Sequence, residues 1–305
     1  MTRPDAVWAA VDCDDDDPAE TDECLRLEVD IDGRVLATRD PTTDPFTARD
    51  EATLQADLER AVVDHELRLD YQPIVELETA AIVGYEALVR WEHPIRGRLP
   101  PRDFLGIAQR SEAGAAIDGW VLLEACREAA GWSRSGAAAT ICINVAPERF
   151  AAPRFVERLT AALDMTGLDP SRLMLEITEW TVLVDVDAAQ HTLAGLRSLG
   201  VRVALDDYGT GYSSLANVAA LAVDELKIDI SFVAGLGSDR ARTAIVRAIV
   251  GLGEALDLTV VAEGVESADQ AFALRALGCE YGQGFHFGRP TPEPALVSSA
   301  VARTS

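Results

Sequence analysis

The sequence predicts an α/β fold: a TIM-like (β/α)8 barrel with an antiparallel first strand, preceded by a short acidic N-terminal segment. Three observations predict it. From about residue 48, short apolar strand-like runs alternate with amphipathic helical runs, the pattern of a mostly parallel sheet. Eight such strands over ~245 residues match a closed barrel. Only about five residues separate the first two strands, too few for a crossover helix, so this pair must be antiparallel.

The elements follow in order. Residues 1–47 hold Asp14-Asp15-Asp16-Asp17 and a Pro/Thr/Asp stretch from Pro41 to Pro45, which read as solvated and mobile. Between them Leu25 to Ile31 alternates, Asp32-Gly33 is a turn signal, and Arg34 to Ala37 can return as a hairpin. Ala48 to His65 has helical spacing. Strands are expected at 68–75, 81–91, 139–145, 172–178, 201–206, 223–228, 258–262 and 280–285. Helices are expected at 118–132, 153–165, 188–199, 240–256 and 268–277. The domain reading is an N-terminal segment at 1–47, a barrel at 48–295 and a tail at 296–305.

Composition narrows the function. The net charge is −24, with much of the acidity in the first 50 residues. That argues against a nucleic-acid polymer or an anionic membrane as partner, since both call for clustered Lys/Arg. It leaves room for a small anionic substrate if bound cations reverse the local sign. The five cysteines (Cys13, Cys24, Cys126, Cys142 and Cys279) are scattered, without a C-x-x-C pair. This suits a reducing cytosol rather than a disulfide framework or a zinc site. No signal-peptide pattern and no apolar run of about 18 residues is present, so the expected location is cytoplasmic.

The polar residues that interrupt the strands carry the chemistry. Glu86, Asn144, Glu176, Asp206 with Asp207, Lys227, Glu263 and Gln283 fall at or near the ends of seven strands. In a barrel these ends share one rim, where active sites lie. Any one of them could be a helix N-cap or a loop acid; their recurrence on strand after strand points to a site. Carboxylates gathered this way repel unless cations are present. Oxygen donors without Cys or His indicate Mg2+ or Mn2+. Adjacent acids such as Asp206-Asp207 suit two metals sharing a bridge, a device for in-line attack on phosphorus. Lys+Arg number 27, yet Lys227 is the single lysine and lies in an apolar run. An ammonium can orient water or move a proton; a guanidinium stays protonated. Of the four histidines, His65 reads as helix surface, His93 as loop and His191 as helix start. His286, past the last strand, is within reach of a substrate, but all four are poor candidates for the chemistry.

These residues lie in longer motifs. Tyr71-Gln72-Pro73-Ile74, Glu86-Ala87-Leu88-Val89-Arg90-Trp91, Leu175-Glu176-Ile177-Thr178-Glu179, Asp206-Asp207-Tyr208-Gly209-Thr210-Gly211, Leu226-Lys227-Ile228-Asp229, Ala262-Glu263-Gly264-Val265-Glu266 and Gln283-Gly284-Phe285 together resemble the EAL domain over about residues 50–295. The resemblance implies a cyclic di-GMP phosphodiesterase of bacterial signalling that yields linear 5′-pGpG with two Mg2+ or Mn2+ ions. It implies Glu86, Asn144, Glu176 and Asp206 as ligands of one metal. Asp206 is then the bridge to a second, with Asp207 and Glu263. Lys227 holds the attacking water, so Lys227, Glu263 and Glu86 are the catalytic set. Gln72, Arg90, Glu266 and Gln283 lie against substrate or the water and metal shell. Glu179 anchors the Asp207–Gly211 loop, which in the family links the site to a homodimer interface formed by that loop and the adjacent helix.

Two departures stand out. An Ala-Glu-Glu stretch reads Ala108-Gln109-Arg110 here, removing an acid near the substrate side, and Tyr208 replaces Phe. Neither touches an expected metal ligand. The alternative from another class is a receptor that binds cyclic di-GMP without cleaving it. Mg2+-assisted enolisation with Lys227 as base is a third reading.

Overall fold

The computed structural model describes residues 48–295 other than 112, 135–138, 210–220 and 222, together with residues 28–29 and 35–36. The chain divides into two compact units, Met1–Thr47 and Ala48–Ser305. In the first, β1 (Glu28–Val29) pairs antiparallel with β2 (Val35–Leu36), inside the expected hairpin. The acidic run, the Pro/Thr/Asp stretch, Cys13, Cys24 and the tail at 296–305 lie outside the described residues.

The second unit is the barrel. Its strands are β3 (Leu67–Glu76), β4 (Ile82–His93), β5 (Gly97–Leu99), β6 (Thr140–Asn144), β7 (Leu173–Thr178), β8 (Arg202–Tyr208), β9 (Glu225–Ile228), β10 (Thr259–Ala262) and β11 (Tyr281–Gln283). They form one sheet in the order β3-β11-β10-β9-β8-β7-β6-β4-β5, and the additional pairing of β3 with β4 closes it. β3 is antiparallel to both neighbours, β4 and β11, while the other ring contacts are parallel. The short connection from Leu77 to Ala81 dictates this, as no crossover fits in it. β5 folds back on the end of β4 as a small hairpin outside the ring.

Helices fill the connections. The larger ones are α1 (Ala48–Ala61), α2 (Pro101–Gln109), α3 (Ala113–Arg134), α5 (Phe155–Thr166), α7 (Val186–Leu199), α9 (Arg240–Leu256) and α10 (Ala268–Ala276). Single short segments α4 (Pro147–Phe150), α6 (Glu179–Val184) and α8 (Ile230–Val233) start directly after strands β6, β7 and β9. Caps explain the boundaries. Asp239 accepts from the N–H groups of Ala241 and Arg242 to start α9, whose buried Val246, Ile249, Val250 and Gly253 lie at helical spacing. Ser267 and Gln270 close a capping box on α10. None of the described helices is long and apolar enough to cross a membrane.

Two layers fill the barrel. Ile74, Cys142, Met174, Ala204 and Val261 form an apolar cluster, at most 5% exposed. Strand side chains alternate faces, so two residues further toward the rim the same inward face carries Gln72, Asn144, Glu176, Asp206 and Glu263. The chain thus stacks a polar layer on an apolar one. His93 corrects the expectation of a loop: it ends β4, is buried, and its Nδ1 accepts from the N–H groups of Ile95 and Arg96. Ring and turn together shape the hairpin into β5, so this histidine is structural. His191 lies within α7 rather than at its start.

Candidate active site

Lys227 is fully buried on β9 and organises the polar layer. Its Nζ is 2.5 Å from Glu263 Oε1, 2.8 Å from Glu176 Oε2, 3.7 Å from Asp206 Oδ1 and 4.0 Å from Glu86 Oε2. Glu176 Oε2 and Lys227 Nζ lie within reach without hydrogen-bond geometry, so their contact is ionic, and both oxygens of Glu176 have no hydrogen-bond partner among the described residues. Glu86 accepts from Asn144 Nδ2 at 2.6 Å and from Gln283 Nε2 at 2.5 Å. Gln283 Nε2 also donates to Gln72 Oε1 at 3.1 Å. Register explains the convergence: Gln72 is opposite Glu86, and Asn144 opposite Glu176.

A bulge explains how two adjacent acids serve one site. Leu205 pairs with Leu226 and Tyr208 with Ile228, so Asp206 and Asp207 on β8 together face Lys227 on β9. In a regular strand they would point to opposite faces. Asp207 has φ +53, in the left-handed region that Asp tolerates. The result is a donor set in which one ligand atom each of Asp206, Asp207 and Glu263 lies within 4.8 Å of the others.

Charge follows burial. Desolvation pushes the carboxyls of Glu176 and Glu263 well above the ordinary range, with neighbouring acids adding to it and Lys227 opposing. Desolvation raises Asp206 as well. Asp207 is pushed up to about 7 by desolvation and by Asp206 and Asp229. Burial alone would lower the Lys227 ammonium, but Asp206, Glu176, Glu263 and Glu86 outweigh it and hold it protonated. Buried carboxylate oxygens without hydrogen-bond partners among the described residues, raised carboxyls and a hard-oxygen donor set fit a divalent cation. A cation binding there must displace protons.

The remaining expected residues fall in two groups. Glu179 Oε1 accepts from the N–H of Gly209 at 3.3 Å, which ties down the start of the loop after β8. The rest of that loop, 210–220, lies outside the described residues. Arg90 lies on β4 past Glu86 and pairs with Asp70 rather than with the cluster. Glu266 is exposed, and its backbone N–H donates to Gln270 Oε1; no side-chain contact joins it to the cluster among the described residues. Asp229, not assigned a role from sequence, hydrogen bonds to Asp207 and caps α8 through Ser231. Its place in the Lys227 motif was the available signal.

The EAL domain model matches residues 55–290. The chain belongs to the EAL domain family. Among its EAL relatives, MucR of Pseudomonas aeruginosa, a bifunctional diguanylate cyclase/cyclic di-GMP phosphodiesterase, is 42% identical over 255 residues, 83% of this chain and 37% of MucR. NbdA of the same organism, a cyclic di-GMP phosphodiesterase, is 38% identical over 250 residues, 82% of this chain and 32% of NbdA. The chain therefore spans about a third of these relatives' length. The solved structure of the PaMucR phosphodiesterase in complex with c-di-GMP superposes with a TM-score of 0.76 at 43% identity, covering 79% of this chain and 98% of that one. The EAL barrel seen here is thus shared with relatives that carry that ligand.

Proposed function

We propose that this EAL domain is a metal-dependent phosphodiesterase that hydrolyses cyclic di-GMP to linear 5′-pGpG. The observation that carries the reading is the ring of Glu86, Glu176, Asp206 and Glu263 around the buried Lys227 ammonium. The named activities of MucR and NbdA supply the substrate class.

Glu86, Asn144, Glu176, Asp206, Asp207 and Glu263 would hold two Mg2+ or Mn2+ ions. When bound, such a pair supplies Lewis acidity: it lowers the pKa of a water and neutralises charge on the phosphate and the leaving oxygen. Lys227 donates to the attacking water and fixes its line of approach. Asn144 keeps its Oδ1 for ligation, because its Nδ2 is spent on Glu86. Gln283 holds Glu86 and Gln72 together at the substrate side. Arg90 meets a phosphate through its guanidinium. Water oxygen bonds to phosphorus, the P–O3′ bond breaks, and O3′ leaves with a proton as the free hydroxyl.

On the same reading residues 48–295 are the catalytic unit, with 1–47 and 296–305 outside it. Homodimerisation through the loop after β8 and its adjacent helix also belongs to this reading and is checked by sedimentation. The test of the reaction is product analysis of wild type and Glu86→Ala with cyclic di-GMP and Mn2+. Wild type forms 5′-pGpG, and Glu86→Ala forms none while retaining its fold. Near-normal turnover by Glu86→Ala contradicts the metal assignment.

A further inference from the structure

We propose that Asp70 and Arg98 extend the substrate site beyond the metal cluster. Asp70 is a positioning residue that holds Arg90 and Arg98 side by side as a two-guanidinium clamp for the anionic ring of a cyclic dinucleotide. The inference rests on the substrate reading above and deepens it.

Placement comes first. Gln72 is in register with Glu86, and Asp70 with Leu88. Alternation keeps Asp70 and Gln72 on one face of β3, and Glu86, Leu88, Arg90 and Glu92 on the matching face of β4. From Glu86 to Arg90 the strand climbs ~13 Å away from the metal layer. β5 then returns with Arg98 opposite Glu92. A chain that turned one residue earlier or later would put Arg98 on the other face.

Bonding comes second. Asp70 is 2% exposed. A carboxylate that buried is costly unless paired. Both its oxygens are used, one by Arg90 Nε at 3.0 Å and the other by Arg98 Nη2 at 2.8 Å. Arg90 Nη1 donates to the Val89 carbonyl at 3.1 Å, so neither contact uses Arg90 Nη2. Arg98 Nε is 2.8 Å from Glu92 Oε1, so neither of its contacts uses Nη1. Two cations share one acid, and among the described residues Arg90 Nη2 and Arg98 Nη1 take no part in these contacts. The Arg98 side chain is 41% exposed and the Arg90 side chain 10%, so the pair runs from the buried rim outward.

The chemistry fits. A cyclic dinucleotide carries two phosphates, and on that reading Glu86, Asn144, Glu176, Asp206, Asp207 and Glu263, with the cations they would hold, would take the scissile one. A fork of fixed guanidiniums suits the remaining anionic and acceptor groups of the ring. An acid that merely tied down the hairpin would change stability without changing substrate affinity. Affinity against turnover therefore separates the two roles.

The experiment measures initial rates with saturating Mn2+ and calorimetric binding of cyclic di-GMP on wild type, Asp70→Asn and Arg98→Gln. Asp70→Asn is expected to raise KM about 10-fold, and Arg98→Gln roughly 3- to 10-fold, each with kcat within about threefold. An unchanged KM in either folded variant overturns the clamp. If Asp70→Asn fails to fold, as circular dichroism will show, the exposed Arg98→Gln decides alone. A wild type that binds without cleaving contradicts the hydrolase reading but not the clamp, which is then judged by the same shifts in Kd. A wild type that does neither overturns both.

Discussion

Lys227 answers four carboxylates with one ammonium, and nothing of its side chain reaches solvent. The guanidinium is longer and planar, and forcing extra atoms into a buried position costs typically ~1–3 kcal/mol. Lys227→Arg is expected to lose about 100-fold or more in turnover, in the range of a lost proton-handling or water-orienting group. Lys227→Met should lose at least as much. Initial rates at saturating Mn2+ check this; an Arg variant that restores what Met loses would reduce Lys227 to a charge clamp. The lysine was legible in the sequence because it stands alone in an apolar run. Its protonation was not: the depth of burial and the distances to Asp206, Glu176, Glu263 and Glu86, on which the balance depends, are three-dimensional quantities.

The strand-to-loop junctions are where elements become a site. Sequence alternation indicated the eight ring strands and that β3 runs against its neighbours. It did not reveal the bulge in β8, because a bulge leaves no mark in a two-residue period once both residues are acids. It also passed over β5 and α2, since a three-residue strand and a helix beginning at Pro101 carry too little periodicity. Consequently Arg98 had no place in the expected site. Gly264 shows how tightly a junction is built. It follows Glu263, has φ +64, and a Cβ there would sit 2.0 Å from Ile230 Cγ1. Gly264→Ala should lower the thermal midpoint by several degrees and cut turnover about 10-fold or more by displacing Glu263. Gly167→Ala is the control: φ is +71, but nothing lies within 4 Å of the added methyl. It should cost only about 1 kcal/mol and leave kcat unchanged. Equal effects from the two substitutions would contradict the packing argument.

At the scale of the molecule, the barrel encloses more acid than its cations balance. Glu225, two residues before Lys227 and on the same face, is buried, and its Oε1 has no hydrogen-bond partner among the described residues. Desolvation pushes its carboxyl up to about 7, against Lys227 and Arg202. The folded state therefore binds a proton that the unfolded state, titrating near 4.5, has released. The resulting stability is full below about pH 4.5 and is lost as pH rises through about 7. Glu225→Gln should flatten that slope, so that its stability relative to wild type improves between pH 5.5 and 8.5 by about 2 kcal/mol. Denaturant midpoints in EDTA at the two pH values check it, and parallel pH profiles would contradict it. The eight-strand ring and its rim were legible from element rhythm alone; which interior residues pay for the site by staying charged or protonated was not, because that depends on what packs beneath them. Hydrolysis itself is tested most directly by following bound cyclic di-GMP and released 5′-pGpG on one sample, first with saturating Mn2+ and then with excess EDTA. Product is expected with Mn2+, and both turnover and tight binding are expected to be lost in EDTA. Tight binding that survives EDTA, with no product when Mn2+ is returned, would mean a receptor and not an enzyme.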